Sequence, residues 1–343
     1  MKRRFYFWFS IFAFLGPALT VKAQQVDSLK FFAEEPAIEM QLSTDIRALQ
    51  NEKGQDVFQP ATVKMKFPDG TEIEEPIQVG PRGKFRRGYC RIPPIMMQFR
   101  NVSAPRLSSL GKLKLVIPCG SATADEELLF KEYLVYKIYN QITNLSMRVR
   151  LVKTTFNDSK GKFKSFTQYS FMMEDDGDMA RRNNCKKRTH GQILTESTDR
   201  QTMTMVAIFE YMIGNTDWSV PNNHNIELVF SRENPAQLPF AVPYDFDYCG
   251  LVDASYAVPA DVIGTEKVTE RVYRGFPRNM EEIQATLDLF RAKKENILNV
   301  IRNFSMLSER VRNGMVKYLE EFFRMIENKN DVKSVFIDNA RTS

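Results

Sequence analysis

Apolar and polar residues alternate over positions 63–67, stop at Pro68-Asp69-Gly70, and alternate again over 71–79. A period of two on either side of a Gly-containing turn predicts a β-hairpin. Residues 95–99 and 112–116 predict two more strands, so the stretch from about 36 to 117 is mostly strand. In the last of these, Lys112 and Lys114 share one face while Leu113 and Leu115 share the other. The period then lengthens. Thr123-x-x-Glu126 has the form of a capping box, and helical spacing runs through Leu128 to about Ile142. Residues 147–156 and 166–173 predict a second strand pair around the turn Asn157-Asp-Ser-Lys-Gly161, and 175–198 are polar and irregular. A helix over 200–213 stops at Gly214. Short strands follow at 226–230 and 240–242. The chain is then helical from about 280 to 326, with Asn303-Phe-Ser as the break. Strands first and helices later predict an α+β protein.

The first 23 residues stand apart. A basic start (Met1-Lys-Arg-Arg4) leads into an apolar run from Phe5 to Leu19, and Val21-Lys22-Ala23 offers a small-x-Ala cleavage site. The run is short and broken by Gly16-Pro17, so the expectation is a cleaved signal peptide with no stable membrane span afterwards. The product would be periplasmic or secreted. Removing Lys2, Arg3, Arg4 and Lys22 takes the 48 basic residues to 44 against 42 acids, near +2. With bases and acids interspersed, nucleic acid is not an expected partner. The two histidines, His190 and His224, argue against a zinc site of several His, and no Gly-x-Ser-x-Gly elbow is present. Four Cys in an exported chain suggest disulfides, with Cys90 and Cys119 as the first guess.

The stretch richest in chemistry is Ile213-Gly-Asn-Thr-Asp217-Trp-Ser-Val-Pro-Asn222-Asn-His224-Asn225, followed by two strands and Tyr244-Asp245-Phe246-Asp247. An Asp just after a helix, an Asn at the start of a strand and an Asp after the next strand form an ordered set. In phosphoryl transfer one carboxylate orients the nucleophile, while an amide oxygen and a second carboxylate hold Mg²⁺ on the phosphates. Polar turns and caps are the competing explanation for the Asn-rich loop. Two acids at the end of an otherwise apolar strand are costly without a ligand, which favours the functional one. On the helix after Thr123, Glu132 sits among Leu128, Leu129, Val135, Tyr136 and Tyr139, and Lys112 or Lys114 is the nearest cation in sequence. The basic loop after Gly80 (Arg82, Lys84, Arg86, Arg87) fits no phosphate-loop fingerprint.

Several of these pieces, taken in order, resemble the spore-coat CotH kinase family, with a fainter likeness to HipA-type kinases. They are Arg82-Gly83, Lys112-Leu-Lys114-Leu-Val, Glu132 on its helix, Phe171-Met-Met-Glu174, Asp217 to Asn225, and Pro243-Tyr-Asp245-Phe-Asp247. The likeness spans about residues 36 to 250. It implies a two-lobed protein-kinase-like fold with a strand-rich N-terminal lobe over 24–173 and a helix-rich C-terminal lobe over 174–343. It also implies ATP and Mg²⁺ as cofactors and a protein substrate. Asp217 would be the catalytic Asp. Asn225 or Asn222 and Asp245 or Asp247 would be metal ligands, and Lys114, Glu132, Arg82 and Glu174 would serve the nucleotide. Where the family pattern has Arg-Gly-Asn-Ser, this chain reads Arg82-Gly-Lys-Phe, and the loop from Asp217 to Asn225 is long for a kinase catalytic loop. The alternatives are a non-catalytic exported pseudokinase or envelope interaction module, or a carboxylate-based hydrolase using Asp217 with Asp245 or Asp247.

Overall fold

The computed structural model describes residues 28–33, 36–52, 57–83, 90, 92–189 and 191–341. The segment expected to be a signal peptide, His190, and Lys84, Arg86 and Arg87 of the basic loop lie outside them.

Seven strands form the first part of the structure: β1 (Ile38–Thr44), β2 (Gln59–Lys66), β3 (Glu72–Pro81), β4 (Ile95–Gln98), β5 (Lys112–Val116), β6 (Val149–Asp158) and β7 (Phe166–Met173). Their order is β1-β2-β3-β4-β5-β7-β6, and the sheet closes on itself because β6 returns to pair with β1. That closing pair is parallel, with Ile38 opposite Val152 and Thr44 opposite Asp158, whereas the other six pairs are antiparallel. The expected two-lobed protein-kinase-like fold is therefore incorrect. The molecule is α+β, but its strands make a closed seven-stranded mixed barrel and a helical region follows. The seam joins strands far apart in the chain, and local periodicity carries no trace of such a pairing.

Alternation decides what fills the barrel. Val63, Met65, Val79, Ile95, Met97, Leu113, Leu115, Val152, Phe156 and Met172 belong to one buried apolar cluster, as expected of a barrel packed with side chains. The alternate residues of β6 and β7 (Val149, Leu151, Phe171 and Met173) belong to a second cluster shared with the helices. Lys114, between Leu113 and Leu115, therefore faces away from the barrel interior. Arg150 is fully buried and spends its guanidinium on backbone carbonyls, donating to Phe31 O at 2.7 Å while lying against the rings of Phe31 and Phe67.

Helix α3 (Thr123–Ile142), which follows the short helices α1 (Ser28–Ala33) and α2 (Ile46–Asn51), packs on the β6–β7 face and on the long α6 (Met280–Arg302). Its cap is one residue earlier than the sequence suggests. Ala122 is the cap and its N–H donates to Asp125, while Glu126 accepts the Tyr169 N–H of β7 at 2.7 Å. The stretch read as irregular contains α4 (Asp176–Arg182) and the two-residue strand β8 (Cys185–Lys186). Then come α5 (Arg200–Ile213), β9 (Ile226–Ser231) and β10 (Phe240–Pro243), with β10-β9-β8 forming a small sheet, and after α6 come α7 (Glu309–Met325), α8 (Lys329–Lys333) and a π-helical turn at Ser334–Asp338. The break predicted near Asn303 is present: α6 ends at Arg302. The Cys90–Cys119 disulfide is formed, and Cys185 and Cys249 are buried free thiols. Among the described residues no helix is long and apolar enough to cross a membrane.

Candidate functional site

Helix α5 runs with buried residues from Thr202 to Ile213 and stops where Gly214 adopts φ +68°. A Cβ there would lie 2.2 Å from the Tyr318 hydroxyl, so only glycine fits this turn. The chain leaving it is fixed by its own polar groups. Asn215 Oδ1 accepts the Asp217 N–H at 3.0 Å, and the Arg274 guanidinium donates to the carbonyls of Thr216 and Trp218.

The length of the next loop, which looked too great for a catalytic loop, has a structural explanation. Ser219 and His224 form an antiparallel bridge through both backbone hydrogen bonds, folding residues 219–224 into a small closed turn. Asn225 is thereby returned to Asp217. Its Nδ2 donates to the Asp217 carbonyl at 2.8 Å and to Asp217 Oδ2 at 3.1 Å, which leaves its Oδ1 without a protein partner among the described residues. His224 Nε2 lies 2.8 Å from Asp217 Oδ1, and against a carboxylate that nitrogen is the donor. Asn222 is exposed on the turn and makes no such contact.

From Asn225 the site continues across the β9–β10 pair. Pro243 is opposite Ile226, and the Tyr244 N–H donates to Asn225 O at 3.0 Å. Asp245 is therefore one residue beyond Asn225's partner. It is solvent-exposed, has φ +63°, and its N–H donates to the Tyr136 hydroxyl of α3 at 2.8 Å. Asp247 turns the other way and is buried, with Oδ2 accepting the Tyr256 hydroxyl proton at 2.9 Å.

Lys114 approaches from β5. Its Nζ lies 5.0 Å from the centre of the Tyr244 ring, within cation–π range. Burial, with the nearby Asp245 charge, pushes the Tyr244 phenol up to about 12, so the ring stays neutral under the ammonium. Burial also lowers the Lys114 pKa, opposed by Asp176 and Asp245, while Arg82 and Lys187 add to the lowering. Glu132 bears on Tyr136 rather than standing among the main charges acting on Lys114.

Three residues that sequence reasoning did not place in the site join Lys114. Lys187 pairs with Asp176 and, at 3.3 Å, with Glu227. Burial works against an ionised Asp176, yet Lys114 and Lys187 hold it below the ordinary carboxylate value. Burial raises Glu227, with Lys187 opposing. Glu174-Asp175-Asp176 was visible as an acidic triplet, and His224 as one of two histidines. Neither pattern says which acid turns toward Lys114. Glu174 itself is 2% exposed and occupied: Arg182 donates to both its oxygens at 2.9 and 3.0 Å, and the Arg148 N–H donates to Oε2.

Among the described residues no group of three or more His, Cys, Asp or Glu is placed to hold a metal alone. Mg²⁺ needs only one or two protein oxygens when phosphate and water complete its octahedron. The Asp245 carboxylate and the free Asn225 Oδ1 suit that role as hard donors. Beside Asp217 lies a cavity of about 130 Å³ bordered by Thr216, Tyr248, Val258, Pro259 and Lys267. Compared with known proteins, the chain matches no family model and no curated protein.

Proposed function

We propose that the protein transfers the γ-phosphoryl group of Mg-ATP to a protein hydroxyl, outside the cytoplasm. The observation that carries this reading is Asn225. Its amide nitrogen is bound to Asp217, its carbonyl accepts from Tyr244 next to Asp245, and Lys114 stands over Tyr244. The candidate base and the cation are thus connected through the Asn225 side chain and backbone and the Tyr244 ring, with Asp245 the next residue in the chain. The closed barrel is no objection, since the chemistry of a site and not its scaffold decides the reaction.

Each residue has a distinct task. The Lys114 ammonium meets phosphate oxygens as a point charge, and Arg82 adds to the same positive potential. Asp245 and Asn225 would hold Mg²⁺, which would supply positive charge to offset that of the phosphates. Asp217 orients the incoming hydroxyl and accepts its proton. The His224 contact fixes the Asp217 rotamer, and the cavity beside Asp217 has room for a small acceptor side chain. The Cys90–Cys119 disulfide supports an oxidising compartment and thus export.

Calorimetry of Mg-ATP binding tests the reading. Wild-type protein is expected to bind only with Mg²⁺ present, and Asp245→Ala to weaken binding at least about tenfold through loss of a metal-side carboxylate. Equal binding by the two proteins would refute the assignment. A folded wild type that binds no nucleotide would favour a non-catalytic interaction module.

A further inference from the structure

Asp245 occupies a backbone conformation that a residue with a Cβ seldom adopts. Its φ of +63° lies in the left-handed region, where an Asp is tolerated better than most residues but still at a cost. Such a conformation persists where the surroundings over-determine it. The regular β9–β10 ladder ends at Pro243, and the Tyr244 N–H is taken by Asn225 O. The next N–H, that of Asp245, has no strand to pair with, and its hydrogen-bond partner is the Tyr136 hydroxyl at 2.8 Å.

Tyr136 can serve as a fixed point. It is 1% exposed, with its ring centroid 4.7 Å from that of Phe246 and 5.8 Å from that of Phe171. Phe246 follows Asp245 directly, so Tyr136 grips the turn twice: by its ring on residue 246 and by its hydroxyl on residue 245. Burial, with the charges of Glu132 and Asp245, keeps the phenol protonated and hence a neutral acceptor for the N–H. Glu132 lies one turn earlier on the same helix.

We propose that the Tyr136 hydroxyl is the positioning group that holds Asp245 in its left-handed conformation, so that α3 determines where the Asp245 carboxylate points. The functional half of this inference rests on the reading of Asp245 as a metal-side carboxylate. The structural half does not.

Tyr136→Phe is the test, because it retains the ring contacts and removes only the acceptor. Hydrogen exchange resolved at single amides is measured first. In the wild type the Asp245 amide is expected to be protected about as well as that of Tyr244, within a factor of ten. In Tyr136→Phe the Asp245 amide should exchange at least ten times faster while Tyr244 keeps its rate. A wild-type Asp245 amide that exchanges as freely as an open loop overturns the proposal even if the variant does not fold. An unchanged rate in a folded Tyr136→Phe does so as well. Calorimetry then reads the consequence: the Mg²⁺ concentration giving half-maximal ATP binding should rise about tenfold. Faster exchange with unaltered Mg²⁺ dependence overturns the link to the carboxylate. If the wild type binds no Mg-ATP, the functional reading and the functional half of this inference fall together, and exchange alone decides the role of the hydroxyl.

Discussion

Asp217→Asn is expected to leave the protein folded and able to bind Mg-ATP within about threefold of wild type, while slowing phosphoryl transfer by about 10²- to 10⁴-fold, the usual contribution of a positioned general base. The substitution keeps the side-chain volume and an oxygen that can still accept from His224 Nε2. What it removes is the charge, and with it the drive to take a proton from the acceptor. Lys114 and Asp245 are untouched, and Asn225 loses its bond to Oδ2 but keeps the one to the residue 217 carbonyl at 2.8 Å, so nucleotide affinity should survive within that margin. Single-turnover transfer from radiolabelled ATP, read beside calorimetry on the same preparation, separates the two. A variant that transfers as fast as wild type would remove Asp217 from the chemistry.

A second large effect concerns Glu210, four residues before Gly214 on α5. It is 1% exposed, and neither carboxylate oxygen has a hydrogen-bond partner of ordinary geometry. Burial pushes its pKa up to about 8; Asn215 and Arg274 pull it down, and the charge on Asp217 raises it further. The folded state therefore keeps a proton up to about pH 8 that the unfolded chain gives up near 4.5. Between those values the unfolded state binds fewer protons, so stability falls as pH rises, and the loss is complete above pH 8. Glu210→Gln stays neutral throughout and lacks this slope. Relative to wild type it should gain about 3–5 kcal/mol between pH 4.5 and pH 8.5, taking 1.36 kcal/mol per pKa unit and allowing for relaxation around the charge. Urea unfolding of both proteins at four pH values gives the answer. Parallel pH profiles would show that Glu210 ionises freely in the folded protein.

Much of the local structure was legible because it depends on neighbours in the chain. The hairpin around Pro68-Asp69-Gly70, the helix ending at Gly214 and the break after Arg302 each follow from a few adjacent residues, and all three are present. The α3 cap was misplaced by one residue because Asp125 caps the Ala122 N–H as effectively as Glu126 would have capped a Thr123 start. The candidate site was legible as a set of residue types but not as a geometry. Which of Asn222 and Asn225 reaches Asp217 depends on the Ser219–His224 bridge, whose backbone hydrogen bonds are indifferent to side-chain identity. Asp245 and Asp247 differ by two residues in sequence, and only packing sends Asp247 to Tyr256 and leaves Asp245 in solvent. The barrel was least legible, since its last pair depends on residues on opposite sides of two hairpins and two helices.

That last pair also has a consequence for how the molecule is made. β1 is synthesised early, yet one of its two edges has no partner until Val149–Asp158 has been added. Until then its row of free N–H and C=O groups is a template for any other extended chain. Contacts between such distant segments form slowly, because the long intervening loop must close first. A chain interrupted before residue 158 is thus an open sheet with an adhesive margin rather than a smaller version of the barrel. Truncated products should accumulate as aggregates, and a chaperone that shields the first strand should matter most during that interval.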